Sequence, residues 1–376
     1  MAAETPDLQA FDPEALWVAR SFRGLSISEL ARLAGVSRQV VNSIESGKRQ
    51  PFRPALLAIA DALRFPVRFF LRAPVVPSHD AIHFRKGAKV PDRAIDRAVA
   101  SACVFGRIAN TFGSFANFTP IRLPSVVAPK DFDGVERAAD AFRVAIGFGL
   151  GAPIAHAVRA AEAAGVFVGT LDPAEVPIHG FASVKPLPLI MLSDKSGWSR
   201  RRFSVMHEVG HLVMHGHFVP EDKETQADRF AGAALVPRPA FWREFPRPSA
   251  HQFDWGAMLA MKRRWGISLQ AIIHRAYDLG LIDAAQYRTA NIHISKYGWR
   301  TNEPGEEAPE MPGVCASFVS ELKKRATVPE LCVAADLYEE TIWQALGIKV
   351  DDETEQSGII PLRRSRASND QVESQE

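Results

Sequence analysis

Apolar residues fall into helical spacing almost from the start of the chain. After Asp12-Pro13, the positions Leu16, Val18, Ala19 and Phe22 mark the inner face of a helix from Glu14 to Phe22. Ser26-Ile27-Ser28 then caps a short helix over Glu29–Ala34, and Gly35 ends it in a tight turn. Ser37 caps the next helix, Arg38–Glu45, whose Val40, Val41 and Ile44 point inward while Arg38, Gln39, Asn42 and Ser43 are left outward. A short Gly-containing turn between two helices is the helix-turn-helix signature, and its second helix is expected to enter the DNA major groove by its N-terminus. Residues 12–72 are therefore expected to form a DNA-binding domain, and 73–92, punctuated by Pro74, Pro77 and Pro91, a linker. His79 and His83 fall in that linker, where the prolines disfavour a helix, and are read as non-ligands.

Farther on, Ile95, Val99, Cys103, Phe105, Ile108 and Phe112 predict a helix from Asp92 to about Phe118. A second helix runs from Asp133 to Ile146 on Val135, Ala138, Phe142 and Ala145, and a third from Pro153 to Ala164, ended by Gly165. Three β-type runs follow: Gly165–Val168, Gly180–Val184 and Leu187–Leu192. Pro186 and Pro188 make the last of these an edge strand, because proline cannot donate to a sheet ladder. After them comes a helix that is apolar at Phe203, Val205, Met206, Val209, Leu212, Val213 and Met214 and so mostly buried. Ala227, Phe230, Ala231, Ala234 and Leu235 predict the next, stopping before Pro237. Trp255–Gly266, a helix capped by Ser268 and ending at Gly280, and another over Ala284–Ile294 complete a helical region over 246–305. Residues 306–350 hold helices over Cys315–Arg325 and near Pro329–Leu346, and 351–376 lack apolar periodicity and are expected to be disordered. The class is thus mainly α with a small β-sheet, α+β.

Inside the buried helix, His207-Glu208-Val209-Gly210-His211 places two imidazoles one turn apart on one face. That spacing suits a single zinc ion, with Glu208 beside the position left for water. The third ligand is expected from a following element. Glu224, which opens the next helix, is the choice, with Glu221 and Asp222 competing. His215 continues the i+4 series and His217 follows it; both read as helix-end residues, where a partly charged imidazole suits the helix dipole. Arg200 to Arg202 could position a substrate or solvate the helix start, and the charge run reads as the solvated start.

Charge sharpens the first domain. Between Arg20 and Arg72 ten basic residues face three acidic ones, a local excess of seven in a chain whose formal net charge is +2. Such a patch suits phosphate binding to double-stranded DNA, with Arg38, Gln39 and Asn42 as base readers. Three scattered cysteines exclude a disulfide framework, and no apolar run reaches the roughly 18 residues that cross a bilayer. With no basic-then-apolar start, a signal peptide is not expected, and the protein is expected to be cytoplasmic.

Arg201-Arg202-Phe203, the HEXXH motif, Glu224-x-x-Ala227-Asp228-x-Phe230-Ala231 and Leu235-x-Pro237 together resemble the ImmA/IrrE family of metallopeptidases. Leu25 to Phe70, with Ser46-Gly47-Lys48-Arg49-Gln50-Pro51, resembles the Xre/Cro-type helix-turn-helix family. The resemblance implies a zincin-like metallopeptidase domain over 93–245. It makes His207, His211 and Glu224 the zinc ligands, Glu208 the general base, and Asp228 the carboxylate that supports a ligand histidine. Some family members carry Glu where this chain has Gln226. On the DNA side it adds Ser43, Lys48 and Arg49 to the contacting residues. Several members of the metallopeptidase family cleave helix-turn-helix repressors to switch on prophage, mobile-element or DNA-damage genes. The expected function is therefore a zinc endopeptidase with DNA and a helix-turn-helix repressor as partners, and with a possible homodimer. The competing reading is a DNA-binding regulator whose zincin domain senses a metal, ligand or peptide without turnover. His274, Tyr277, His179 and Arg202 are the candidates for a donor to the tetrahedral oxyanion.

Overall fold

Side-chain caps set the first helices of the chain. The structure, a computed structural model, describes residues 10–72, 91–115, 121–126, 129–171, 180–184, 187–193, 197–216, 220–249, 252–313 and 328–347. Residues 73–90 with His79 and His83, His179, Pro186, His217, the helix expected over Cys315–Arg325 and the tail beyond Asp351 lie outside the described residues. Asp12 accepts from the Glu14 amide at 2.8 Å and starts α1 (Pro13–Phe22). Ser26 and Glu29 form a reciprocal capping box on α2 (Ile27–Leu33), and Ser37 caps α3 (Arg38–Glu45). Helix α4 (Arg53–Leu63) and a 3-10 turn (Val67–Leu71) close the module over Leu16, Leu30, Val41, Ile44, Ile59 and Phe65. Arg20 grips Glu45 through two bonds of 2.7 and 2.6 Å and fixes α3 to α1.

Helix α5 (Asp92–Phe115) packs on α1 and on the sheet, so the DNA-binding module and one sheet face share a single core. α6 (Phe132–Ala145) and α7 (Ala157–Ala163) precede β1 (Phe167–Leu171), β2 (Gly180–Ser183) and β3 (Leu189–Ser193). The sheet order is β1-β3-β2, with β1 parallel and β2 antiparallel to β3. β3 is thus the central strand, against the expectation of an edge. Pro188 sits just before it, where its missing N–H is not needed, and its carbonyl accepts from Phe167 at 2.9 Å. Alternation along β3 sends Leu189 and Met191 into the first core and Ile190 and Leu192 into a second.

The second core joins α6 and α7 to α8 (Trp198–Met214), α9 (Lys223–Leu235), α10 (Arg238–Glu244), α11 (Trp255–Trp265), α12 (Leu269–Asp278) and α13 (Ala284–Lys296). Helix α8 lies on β2 and β3, and α9 lies on α8. Two buried arginines cap the carbonyl end of α9: Arg143 donates to Ala234 at 2.6 Å and Arg275 to Val236 at 3.0 Å. The fold is mainly helical with a small three-stranded sheet, as the pattern predicts.

Arg200–Arg202 do not form a solvated helix start. Arg200 is exposed, but Arg201 and Arg202 are each 1% exposed. Arg202 donates to the carbonyls of Gly266 (2.9 Å), Ile154 (2.6 Å) and Ala155 (3.2 Å) and pairs with Glu310. Those bonds hold Ile154 and Ala155 out of helical geometry, so α7 starts at Ala157 behind a His156 cap rather than at Pro153. They also explain Gly266, whose φ is +64° and where a Cβ would meet Arg202 Nε at 2.4 Å.

Past α13 the chain runs back over the domain with three acids on three helix starts. Glu303 accepts from the Leu269 amide of α12, Glu306 from Ser199 of α8 at 3.0 Å, and Glu310 from Val158 of α7 at 3.0 Å. Lys262, with no exposed surface, sits between Glu303 and Glu306 at 3.0 and 2.5 Å.

The last described helices, α14 (Val328–Ala335) and α15 (Glu339–Ala345), are joined by a turn closed like that between α2 and α3, a helix ending that also occurs elsewhere in the chain. The Val36 N–H to Ala31 C=O bond of 3.0 Å recurs as Leu337 to Cys332 at 3.0 Å, and Gly35 (φ +64°) recurs as Asp336 (φ +52°). Where α3 opens with Arg38-Gln39, α15 opens with Glu339-Glu340, and Glu340 pairs with Arg64 at 3.2 Å. The α14–α15 pair covers the side of the DNA-binding module formed by Arg23 and Arg64, with Arg23 donating to Thr341 (2.8 Å) and Gln344 (2.5 Å).

Candidate metal centre and DNA-reading face

The close pairing of α8 with α9 brings the HEXXH face and the first two turns of α9 together. Gly210 makes that approach possible, since a Cβ there would lie 3.0–3.2 Å from three atoms of Phe230. His207 Nε2 and His211 Nε2 point to the same spot, 3.1 Å apart. Glu224 closes the triangle, with its oxygens 3.4 Å from His207 Nε2 and 3.7 Å from His211 Nε2. Tetrahedral zinc with bonds of about 2.0–2.1 Å sets its ligand atoms roughly 3.3 Å apart, so the three side chains fit that ion. His207, His211 and Glu224 are also the one group of possible ligands that converges among the described residues. Glu221 and Asp222 are exposed, and Asp222 instead accepts from Gln226 at 2.9 Å.

Asp228, one turn after Glu224, accepts from His207 Nδ1 at 2.8 Å and leaves Nε2 facing the centre. Burial works against a charged His207. Hydrogen bonds to Asp228 and Glu224 and the charges of Glu208 and Asp228 outweigh it and raise the pKa to about 9. Three carboxylates around two imidazoles make the centre favourable to a cation. Glu208 is 2% exposed on the same helix.

His215 is the C-cap of α8, at the helix end as expected, but it is buried rather than solvated. It is 2% exposed, and burial lowers its pKa, which works against the charged form. Its Nδ1 lies 2.9 Å from His211 Nδ1 and its Nε2 lies 3.2 Å from Gln226 Oε1. The sequence pattern carried one sign of this contact, the i+4 step from His211. The partnership with Gln226 needs the α8–α9 packing and could not be read from spacing.

Among the oxyanion-donor candidates, Arg202 is taken up by carbonyls and Glu310. His274 stands on α12, half exposed. A hydrogen bond from its Nδ1 to Asp278 Oδ2 at 3.2 Å holds its pKa up, with the charge of Asp228 contributing as well. Tyr277 is 43% exposed on the same helix.

On the DNA-binding module, Arg38, Gln39, Asn42, Lys48 and Arg49 are exposed and Ser43 is half-buried, all on α3 or just after it. Not all ten basic residues of this region are available to phosphate. Arg20 pairs with Glu45 at 2.6 Å, Arg64 with Glu340 at 3.2 Å and Arg72 with Asp336 at 3.2 Å. The available basic surface therefore concentrates on the α3 side.

Comparison with known families agrees with both halves. Residues 161–277 match a peptidase family model described as the IrrE N-terminal-like domain. Residues 16–68 match a helix-turn-helix domain model. No curated protein matches the chain. No helix among the described residues is long and apolar enough to cross a membrane.

Proposed function

We propose that this chain, a helix-turn-helix domain joined to an IrrE N-terminal-like domain of a peptidase family, is a zinc endopeptidase that binds operator DNA and cleaves a helix-turn-helix repressor. The observation that carries the reading is the convergence of His207, His211 and Glu224, whose ligand atoms lie within 4.8 Å of one another, on a helix that also presents Glu208. Zinc held there would polarise a peptide carbonyl and acidify water. Glu208 takes the proton of the attacking water and delivers it to the leaving amine as the C–N bond breaks. Asp228 and the α8–α9 packing keep the two imidazoles aimed at one point. Arg38, Gln39 and Asn42 read base edges, while Ser43, Lys48 and Arg49 position the backbone.

The test incubates purified wild type and Glu208→Gln, each loaded with zinc, with a panel of folded helix-turn-helix repressors, and maps cleavage by mass spectrometry. The proposal expects one internal cut made by wild type alone. No cut by wild type, with zinc bound and DNA binding intact, would favour the regulator that senses without turnover.

A further inference from the structure

The two histidine ligands are oriented by different devices, and the one behind His211 reaches across to α9. Because His211 Nε2 faces the centre, its Nδ1 faces His215 Nδ1 at 2.9 Å. A hydrogen bond between two imidazole nitrogens needs one protonated and one bare. The far end of the chain decides which. Gln226 Nε2 lies 2.9 Å from Asp222 Oδ1 and 3.3 Å from the Pro129 carbonyl, two oxygens that can only accept. Those contacts fix the amide with its NH2 toward them and Oε1 toward His215.

Oε1 has no hydrogen to give, so His215 Nε2, 3.2 Å away, is the donor. A metal-ligating His211 carries its ring proton on Nδ1, so His215 Nδ1, 2.9 Å away, is the bare partner. It accepts from His211 Nδ1–H, and His211 Nε2 keeps its lone pair toward the centre. We infer that His215 and Gln226 are positioning residues that set the metal-binding tautomer of His211. The inference rests on the reading of His207, His211 and Glu224 as a metal site. It gives the two ligands distinct supports: a carboxylate, Asp228, behind His207 and an uncharged relay behind His211. The relay orients its ligand without adding a further negative charge to a centre that already holds Glu208, Glu224 and Asp228.

The test uses the full chain and zinc alone. Long-range nitrogen–proton NMR of the 15N-histidine-labelled, zinc-loaded wild type should show His215 protonated at Nε2 and His211 at Nδ1. Chelator competition should show zinc held about 10–100-fold more weakly by Gln226→Leu, as for other outer-shell partners of metal ligands, and held about as tightly as wild type by Gln226→Glu, which keeps the acceptor. His215 protonated at Nδ1, or a Gln226→Leu protein binding zinc as tightly as wild type, would overturn the inference and leave the metal site standing. A wild type that takes up no zinc would overturn the metal-site reading and the inference with it. The NMR measurement needs no substitution, so it decides even if Gln226→Leu fails to fold.

Discussion

Gly210→Ala tests whether helix spacing sets the metal geometry. In an exposed helix interior, alanine would add about 1 kcal/mol of stability over glycine. Here the new methyl would lie 3.0, 3.1 and 3.2 Å from Cδ1, Cγ and Cβ of Phe230, where ordinary contacts are about 3.5–4.0 Å. Phe230 has no exposed surface and is backed by Phe142 on α6, with ring centroids 6.0 Å apart, so it cannot swing clear. α9 must move off α8 by several tenths of an ångström. Overpacking of this kind costs about 1–3 kcal/mol, which cancels or exceeds the propensity gain. The larger effect falls on the metal. Glu224 and Asp228 ride on α9, and metal–ligand distances tolerate only about 0.2 Å. Zinc affinity is expected to fall by about tenfold or more, since support of the ligands is disturbed. Urea denaturation of the metal-free protein and chelator competition measure the two effects. A variant more stable by about 1 kcal/mol with unchanged zinc affinity would refute the reasoning.

Zinc uptake should release a proton from His207. Its folded pKa, raised to about 9, keeps it protonated at neutral pH, so stability from that proton is present below about 6.5 and lost as pH rises through 9 in the metal-free protein. Zinc affinity should therefore climb between pH 7 and 9, and calorimetry in buffers of different ionisation heat should count about one proton from this residue; a count of zero contradicts the assignment. Glu310→Gln leaves the Arg202 guanidinium buried without its carboxylate and should cost about 3 kcal/mol, read from denaturant midpoints, whereas a loss under 1 kcal/mol would show the pair to be incidental. Arg38→Ala should weaken specific DNA binding by about 1–3 kcal/mol and relax sequence preference at the one base it reads, followed by footprinting on operator variants; unchanged affinity and preference would remove Arg38 from the base readers. Lys48→Ala should lower the salt slope of DNA binding by about one without changing sequence preference, measured by fluorescence anisotropy across salt concentrations.

Much of the site was legible because its residues sit at short spacing on single helices. The i, i+4 histidines need only helical geometry to be found, whereas spacing leaves Glu224 in competition with Glu221 and Asp222, and Asp228 comes from the resemblance to the metallopeptidase family. The serine caps and the glycine turn gave the DNA-binding helices for the same reason. What spacing could not carry was partnership across the fold. Arg202 is a charge in sequence, yet its guanidinium is spent on carbonyls from two distant turns. Pro188 directly precedes β3, yet the strand lies centrally, because the sheet's pairing order is set by tertiary packing.

The most direct test of the central claim is made in cells carrying wild type or Glu208→Gln at equal expression, with and without DNA damage or other stress. Newly generated protein N-termini are mapped in both. The account predicts a terminus inside a helix-turn-helix repressor that arises with wild type and is missing with Glu208→Gln. The same set of termini in both strains under every stress would contradict it.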